Sequence, residues 1–297
     1  MDVVITYVNG NDPLWQADYA AAVGGDPLRK RFCDWGTLRY LFRGIETHLP
    51  FVERVFLVVA RESQVPEWVD RTAVSVVLHR DFIPGEYLPL FNASAIELFL
   101  HRIPGLGERF LYFNDDVFPV GDLSEADFFA DGRAATGFSR HLFAFNGFKR
   151  LVRNADRTAR KACGMPPSPF FLRPQHTCTP MVREACAELF GRAETDLRAS
   201  VSRIRSERDV NQYVFTDYLY YQGRALRRRL SCRHFSLSVA SAGRVEAFLS
   251  HPDRKLVCIN DVEMTDARFS ALRERIVSAF DHRYPVCSRF ERERTQP

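Results

Sequence analysis

The sequence has no long apolar run. Its longest, Val55 to Ala60, spans six residues, far short of the roughly 20 that a bilayer-crossing helix needs, so no transmembrane segment is expected. It shows no signal peptide: acidic Asp2 stands directly before a strand-like run, with no basic leader or cleavage site, and a cytoplasmic location follows as an expectation. Cysteine is present seven times, an odd number without a C-x-x-C pair, which argues against a disulfide framework and against clustered zinc ligands. Reduced thiols are expected. Charge of one sign is also scarce, at 41 Lys+Arg against 37 Asp+Glu for a net +4, so nucleic acid is not an expected partner. An anionic small molecule is compatible with that balance. What remains is 297 residues, 46% hydrophobic and with 25 Phe, enough to bury a sizeable core in one large α/β domain with a subsidiary lobe.

Val3 to Val8 reads as a strand buried on both faces, stopped by the turn chemistry of Asn9-Gly10-Asn11-Asp12-Pro13. Asp34 is placed to cap a helix from Trp35 to His48, and Val55 to Ala60 and Val74 to Leu78 are further strands. Asn92 is placed to cap a helix running to Ile103, and Phe110 to Phe113 is a fourth strand ending in Asn114-Asp115-Asp116. The alternation over the first ~120 residues predicts a mostly parallel sheet with helices on both faces. Beyond Gly121 the pattern loosens. Helical segments are expected within 143–163, 183–190, 210–222 and 267–280, and strands within 235–239 and 257–260.

Ligands of parallel sheets bind at the carboxyl ends of the strands. Asn9, Gly10, Asn11 and Asp12 sit at such an end, where glycine admits close approach and the polar side chains offer hydrogen bonds; an ordinary turn explains them equally. Asp115 and Asp116 repel one another, which suggests a cation or a proton-transfer role beside Asn114, with a solvated turn as the bland alternative. Glu97 and His101 are four residues apart on an otherwise apolar segment, which puts them on one helix face, as a structural ion pair or as part of a site. His176 follows a Pro-rich loop and is expected to precede a helix. Arg203 to Arg233 holds eight Arg and three acids, a local excess suited to phosphate or to a solvated face. Asn260-Asp261 repeats the strand-then-Asn-Asp arrangement of Asn114-Asp115, so the two ends could converge.

In this order the segments resemble the Stealth family, which includes bacterial capsular polysaccharide hexose-1-phosphate transferases and the catalytic subunit of the lysosomal N-acetylglucosamine-1-phosphotransferase. Asp2 to Pro13 resembles its first block. Arg31 to Tyr40, with Phe91 to Glu97 and His101 through Val117, resembles the second. His176-Thr177 with Arg205 to Val210 resembles the third, and Cys258 to Asp261 the fourth. Tyr7, Asn9 and Cys33 depart from the commoner Trp, Asp and basic residue of the family at those positions.

The resemblance implies a GT-A-like core whose residues 1–120 form the nucleotide-binding half and whose residues 121–297 complete the active site. It implies transfer of a sugar-1-phosphate from a UDP-sugar, such as UDP-GlcNAc, to a saccharide hydroxyl with release of UMP. It also assigns roles. Asp116 or His176 is the base, Arg205 a phosphate clamp, Glu97 a positioning carboxylate, and Asp115 and Asp261 the ligands of Mg²⁺. Asn9 to Asp12 with Asp34 and Arg39 hold the nucleotide, and Asn92, Asn114 and Asn260 join the substrate-binding set. Two other readings stay open: a glycosyltransferase that releases UDP, and a non-catalytic nucleotide-sugar-binding protein.

Overall fold

The structure, a computed structural model, describes residues 1–25, 32–260 and 262–292. Four strands occupy the apolar runs anticipated above, within two residues of the expected bounds: β1 (Asp2–Thr6), β2 (Arg54–Val59), β3 (Val74–Leu78) and β4 (Arg109–Asn114). Shorter strands follow: β5 (Val117–Pro119), β6 (Phe129–Ala130), β7 (Arg133–Thr136), β8 (Phe138–His141) and β9 (Phe171–Pro174). The last four are β10 (Thr179–Val182), β11 (Ala225–Arg227), β12 (Cys232–Ser236) and β13 (Leu256–Asn260). The chain is thus mixed α/β, and it forms two compact units. One comprises Met1–Asp2, Val77–Tyr112 and Glu125–Arg229; the other comprises Val3–Val76, Phe113–Ser124 and the residues from Leu230 onward. They are called here the first and the second unit.

In the second unit β1, β2 and β3 lie side by side in that order, with helices in the connection from β1 to β2, the kind of crossover that parallel strands require. Val3, Val4, Ile5, Val55, Leu57, Val58 and Val59 have no exposed surface, which is why these strands read as unbroken apolar runs. A second sheet has the order β12-β13-β5, with β12 parallel to β13 and β5 antiparallel to it. The helix Leu38–His48 buries Leu38, Leu41, Phe42 and Ile45, and Tyr40 stacks on Phe280 of the helix Asp266–Arg283 at 5.2 Å. Its Arg43 is buried against Glu291 through two 2.7 Å hydrogen bonds and donates a third to the Tyr284 carbonyl.

Two expectations for this unit are corrected. The helix begins at Leu38 instead of Trp35, because Asp34 accepts from the Gly36 N–H at 2.8 Å and Gly36 turns at φ +71°, a left-handed conformation that interrupts helix. The loop after β1 leads into a helix, Pro13–Val23, that was not anticipated: Asp12 caps it at Leu14 N–H and Pro13 takes its first position.

In the first unit β4 and β10 run antiparallel, with Thr179 opposite Tyr112; β7 lies between parallel β11 and antiparallel β6, and β8 and β9 form an antiparallel pair. The helices Gly147–Ala162, Arg183–Arg192 and Tyr213–Tyr221 fall in the expected segments. Asn92 does cap a helix, but that helix is only Ala93–Glu97, followed by a separate turn at Leu100–Arg102. Glu97 and His101 therefore do not share one continuous helix. His176 is followed by strand β10, not directly by a helix.

Candidate functional site

A cavity of about 570 Å³ lies in the second unit, beyond the carboxyl ends of β1 and β2. Tyr7 and Asn9 line it from the segment after β1, and Ser63 to Trp68 from the segment after β2. Asp34 contributes from the turn before the helix Leu38–His48, Arg39 from that helix's first turn, and Arg273 and Asp281 from the helix Asp266–Arg283. Three residues expected to hold a nucleotide, Asn9, Asp34 and Arg39, thus meet in one cavity. Gln64 fixes the loop that presents Asn9: its amide oxygen accepts from Asn9 N–H at 2.7 Å, and its nitrogen donates to the Asn9 carbonyl and to Asp12 at 3.0 and 2.8 Å. Gly10 donates to the Phe32 carbonyl at 2.7 Å, and a Cβ at this position would lie 2.4 Å from that oxygen. Only glycine fits there. Asp12 is buried in this framework; burial acts to raise its pKa, but hydrogen bonds from Ser63, Gln64 and the Leu14 and Trp15 N–H groups outweigh it and hold the carboxyl below the usual range.

The cavity is chemically mixed. Arg39 and Arg273 bring guanidinium groups, with Arg39 5.3 Å over the Trp68 ring, and Asn9 and Asp34 bring acceptors. Burial, together with the charge and hydrogen bond of Asp34 and the charge of Asp115, pushes the Tyr7 hydroxyl well above its ordinary value. Tyr7 therefore stays protonated and donates to Asp34. Such a set can take an anion on its guanidiniums, hydroxyls on its carboxylate and a flat ring beside Trp68.

Asn114 ends β4 and Asp115 and Asp116 follow it; all three are half-buried. The Asp116 carbonyl accepts from Ile259 N–H at 2.9 Å, and its Oδ2 accepts from the Cys258 thiol at 3.5 Å. The structure so brings the acidic end of β4 onto β13, whose last residue is Asn260, as the repeated Asn-Asp pattern suggested. Asp261 lies outside the described residues. Burial, then the Asp116 charge, holds the Cys258 thiol far above its ordinary value, and Cys232 is pushed up to about 12, chiefly by burial. Asp115 and Asp116 supply carboxylate oxygens. Hard oxygen donors of this type fit Mg²⁺.

The remaining expected residues lie in the first unit. Glu97 is buried and accepts from the Tyr112 hydroxyl and from Gln212 N–H, each at 3.1 Å. His176 Nδ1 lies 3.3 Å from the Tyr213 hydroxyl, so adjacent residues, Gln212 and Tyr213, position Glu97 and His176. Asn92 donates to Asp209 at 2.7 Å and to Ser202, and Asp209 accepts from Ser202 and from the Ser206 N–H. This network closes the loop that carries Arg205, whose side chain is exposed. His101 packs against Phe190 and Phe215, and burial lowers its pKa to about 4.

Sequence reasoning missed Tyr7, Gln64, Trp68, Arg273 and Asp281 as parts of the cavity. A signal existed for two of them: Gln64 and Trp68 follow the second strand at its carboxyl end, where the rule applied to β1 also holds. Arg273 and Asp281 offered none, being common residue types on a distant helix.

A family model described as Stealth protein conserved region 2 matches residues 31–136. The receptor polysaccharide phosphotransferase WefC of Streptococcus oralis is 30% identical over 98% of this chain and 99% of its own. The capsular polysaccharide phosphotransferase WcwK of Streptococcus pneumoniae is likewise 30% identical, over 98% of this chain and 99% of its own. Among solved structures, the galactosyltransferase LgtC, in complex with donor and acceptor sugar analogues, is similar with a TM-score of 0.40 at 13% identity over 92% of this chain and 95% of that one. With such identity to named phosphotransferases sustained across nearly the whole of both chains, and with the conserved region spanning β2 to β7, this chain belongs to the Stealth family.

Proposed function

We propose that the protein is a sugar-1-phosphate transferase. It moves hexose-1-phosphate or N-acetylhexosamine-1-phosphate from a UDP-sugar to a hydroxyl of a saccharide acceptor, forms a phosphodiester and releases UMP. The relatives named as polysaccharide phosphotransferases support the transfer of a phosphate-bearing group. The observation that carries the donor assignment is the cavity at the ends of β1 and β2, where Asn9, Asp34 and Arg39 stand together with Trp68.

The acceptor oxygen attacks the β-phosphorus in line while the bond from that phosphorus to the UMP oxygen breaks. Catalysis of this kind consists of positioning and of neutralising phosphate charge. Arg39 and Arg273 bind the nucleotide's anionic part, and Asp34, oriented by the Tyr7 hydroxyl, accepts from its hydroxyls. Asp116 or His176 takes the proton of the acceptor hydroxyl, Arg205 binds phosphate oxygens, and Glu97 acts through the Gln212 N–H as a positioning residue. Mg²⁺ would be held by the carboxylates of Asp115 and Asp261 and would supply charge neutralisation at the diphosphate.

A donor screen over UDP-sugars, read by the nucleotide released, tests this. UMP is expected, dependent on Mg²⁺ and abolished by chelator. Release of UDP instead identifies a glycosyltransferase, and tight donor binding without turnover across acceptors identifies a binding protein. Turnover that survives chelation removes the cation role from Asp115 and Asp261.

A further inference from the structure

We propose that the first unit carries a docking face for an anionic lipid bilayer, built from the end of the antiparallel β8–β9 pair and the start of the helix Gly147–Ala162. Five large apolar side chains are exposed there: Phe145 at 77%, Phe143 at 57%, Phe170 at 50%, Leu142 at 41% and Phe148 at 38%. Leu142, Phe143, Phe145 and Phe170 gather at one end of the β8–β9 pair, while Phe148 packs on Tyr213 at 6.3 Å. His141 pairs with Phe171 across these two strands, so Leu142 and Phe170 leave the pair at the same end. Phe143 and Phe145 stack at 5.2 Å, and Arg173 of β9 lies 5.8 Å from the ring of Phe148. Scattered single apolar residues need no explanation, whereas a contiguous exposed group at one place does.

Charge around the patch identifies its occupant. From Gly132 to Arg183 the chain holds ten Lys and Arg and a single acid, Asp156. That acid is buried. Five of the ten cations are paired with acids, Arg133 with Asp131, Arg150 with Glu207, Arg160 with Asp156, Lys161 with Asp196 and Arg183 with Glu108, so the charge offered to a partner rests on the other five. Arg140, Lys149 and Arg173 stand at the patch itself. Exposed Phe and Leu beside a run of cations is the chemistry of insertion at the boundary between headgroups and acyl chains, with Lys and Arg meeting anionic headgroups. No helix among the described residues is long and apolar enough to cross a membrane, so the contact is peripheral.

The test is co-sedimentation of the full chain with vesicles of phosphatidylcholine, with and without phosphatidylglycerol. Binding is expected with phosphatidylglycerol, to weaken as salt rises, and to fall by about tenfold or more both in the double variant Phe143→Ser/Phe145→Ser and in Arg140→Glu/Lys149→Glu. Thermal unfolding at the wild-type temperature establishes that each variant is folded. If the phenylalanine variant does not fold, the charge variant decides alone. The proposal is overturned if the chain ignores anionic vesicles, binds neutral ones equally well, or binds unchanged in the folded variants. It is also overturned if the chain dimerises without vesicles and Phe143→Ser/Phe145→Ser restores the monomer, because a second copy then covers the face. The outcome is independent of the transfer reaction.

Discussion

The cavity of the second unit and the core of the first treat their acidic side chains in opposite ways. In the cavity, Asp34 and Asp281 face open space beside Arg39 and Arg273. In the core, Asp156 and Asp217 are each only 1% exposed. Asp156 accepts from the Leu172 N–H at 2.9 Å, from Arg160 at 3.1 Å and from the Tyr221 hydroxyl, and the nearby Asp217 is driven well above the ordinary carboxylate range by burial and by the Asp156 charge. A carboxylate enclosed with its partners holds structure; one that also lines a cavity keeps oxygen lone pairs within a ligand's reach.

The largest test of this contrast is catalytic. Asp116→Ala is expected to lower UMP release by about 10²- to 10⁴-fold, as loss of a proton acceptor does, while unfolding stays near the wild-type temperature. Its counterpart in the first unit, Asp156→Ala, is expected to act on stability, by about 3–5 kcal/mol in urea titration, because it strands the buried partners of that carboxylate. An Asp156→Ala chain as stable as wild type would break the comparison.

Next comes pH. His79 and His101 are lowered to about 4 by burial, from an ordinary value of 6.5. Both are neutral when folded, whereas the unfolded chain binds protons below about pH 6.5. Stability is therefore full above 6.5 and falls as pH drops toward 4, by on the order of 3 kcal/mol for each histidine. Replacing either by Gln should flatten that part of the stability profile. Asp217 is the last test. Its folded pKa is raised, so it costs stability as pH rises above the unfolded value near 3.8. Asp217→Asn should accordingly stabilise the chain at pH 7 and leave it unchanged at pH 3, measured by urea titration at the two pH values.

The fold was legible where burial imposes a one-residue-type pattern. β2 and β4 are covered on both faces, and such strands must be apolar throughout. β10 was not legible, because Pro180 argues against a strand; the strand stands at the end of its sheet, paired only with β4, where proline is tolerated. The Pro13–Val23 helix had its signature in Asp12-Pro13, but the same residues spell a turn, and its moderately apolar sequence lacks a clean stripe. Asp34 showed the converse: a good capping residue diverted by Gly36 two positions on. Of the site, Asn9, Asp34 and Arg39 were legible because chemistry gathers at strand ends. The contributions of Arg273 and Asp281 were not, since a helix more than two hundred residues downstream has to fold back before its charges acquire a place.

The Arg43–Glu291 pair has a consequence for synthesis. It joins a helix near the start of the chain to a residue near its end, and the second unit is assembled from three separated stretches of sequence. The first unit is nearly continuous from Val77 to Arg229. A chain emerging in order from the ribosome can complete the first unit while the second still lacks β12, β13 and the carboxylate that neutralises Arg43. The half of the molecule that carries the cavity is thus the last to close, and a nascent chain arrested short of Glu291 leaves a guanidinium without its partner in what would become the interior.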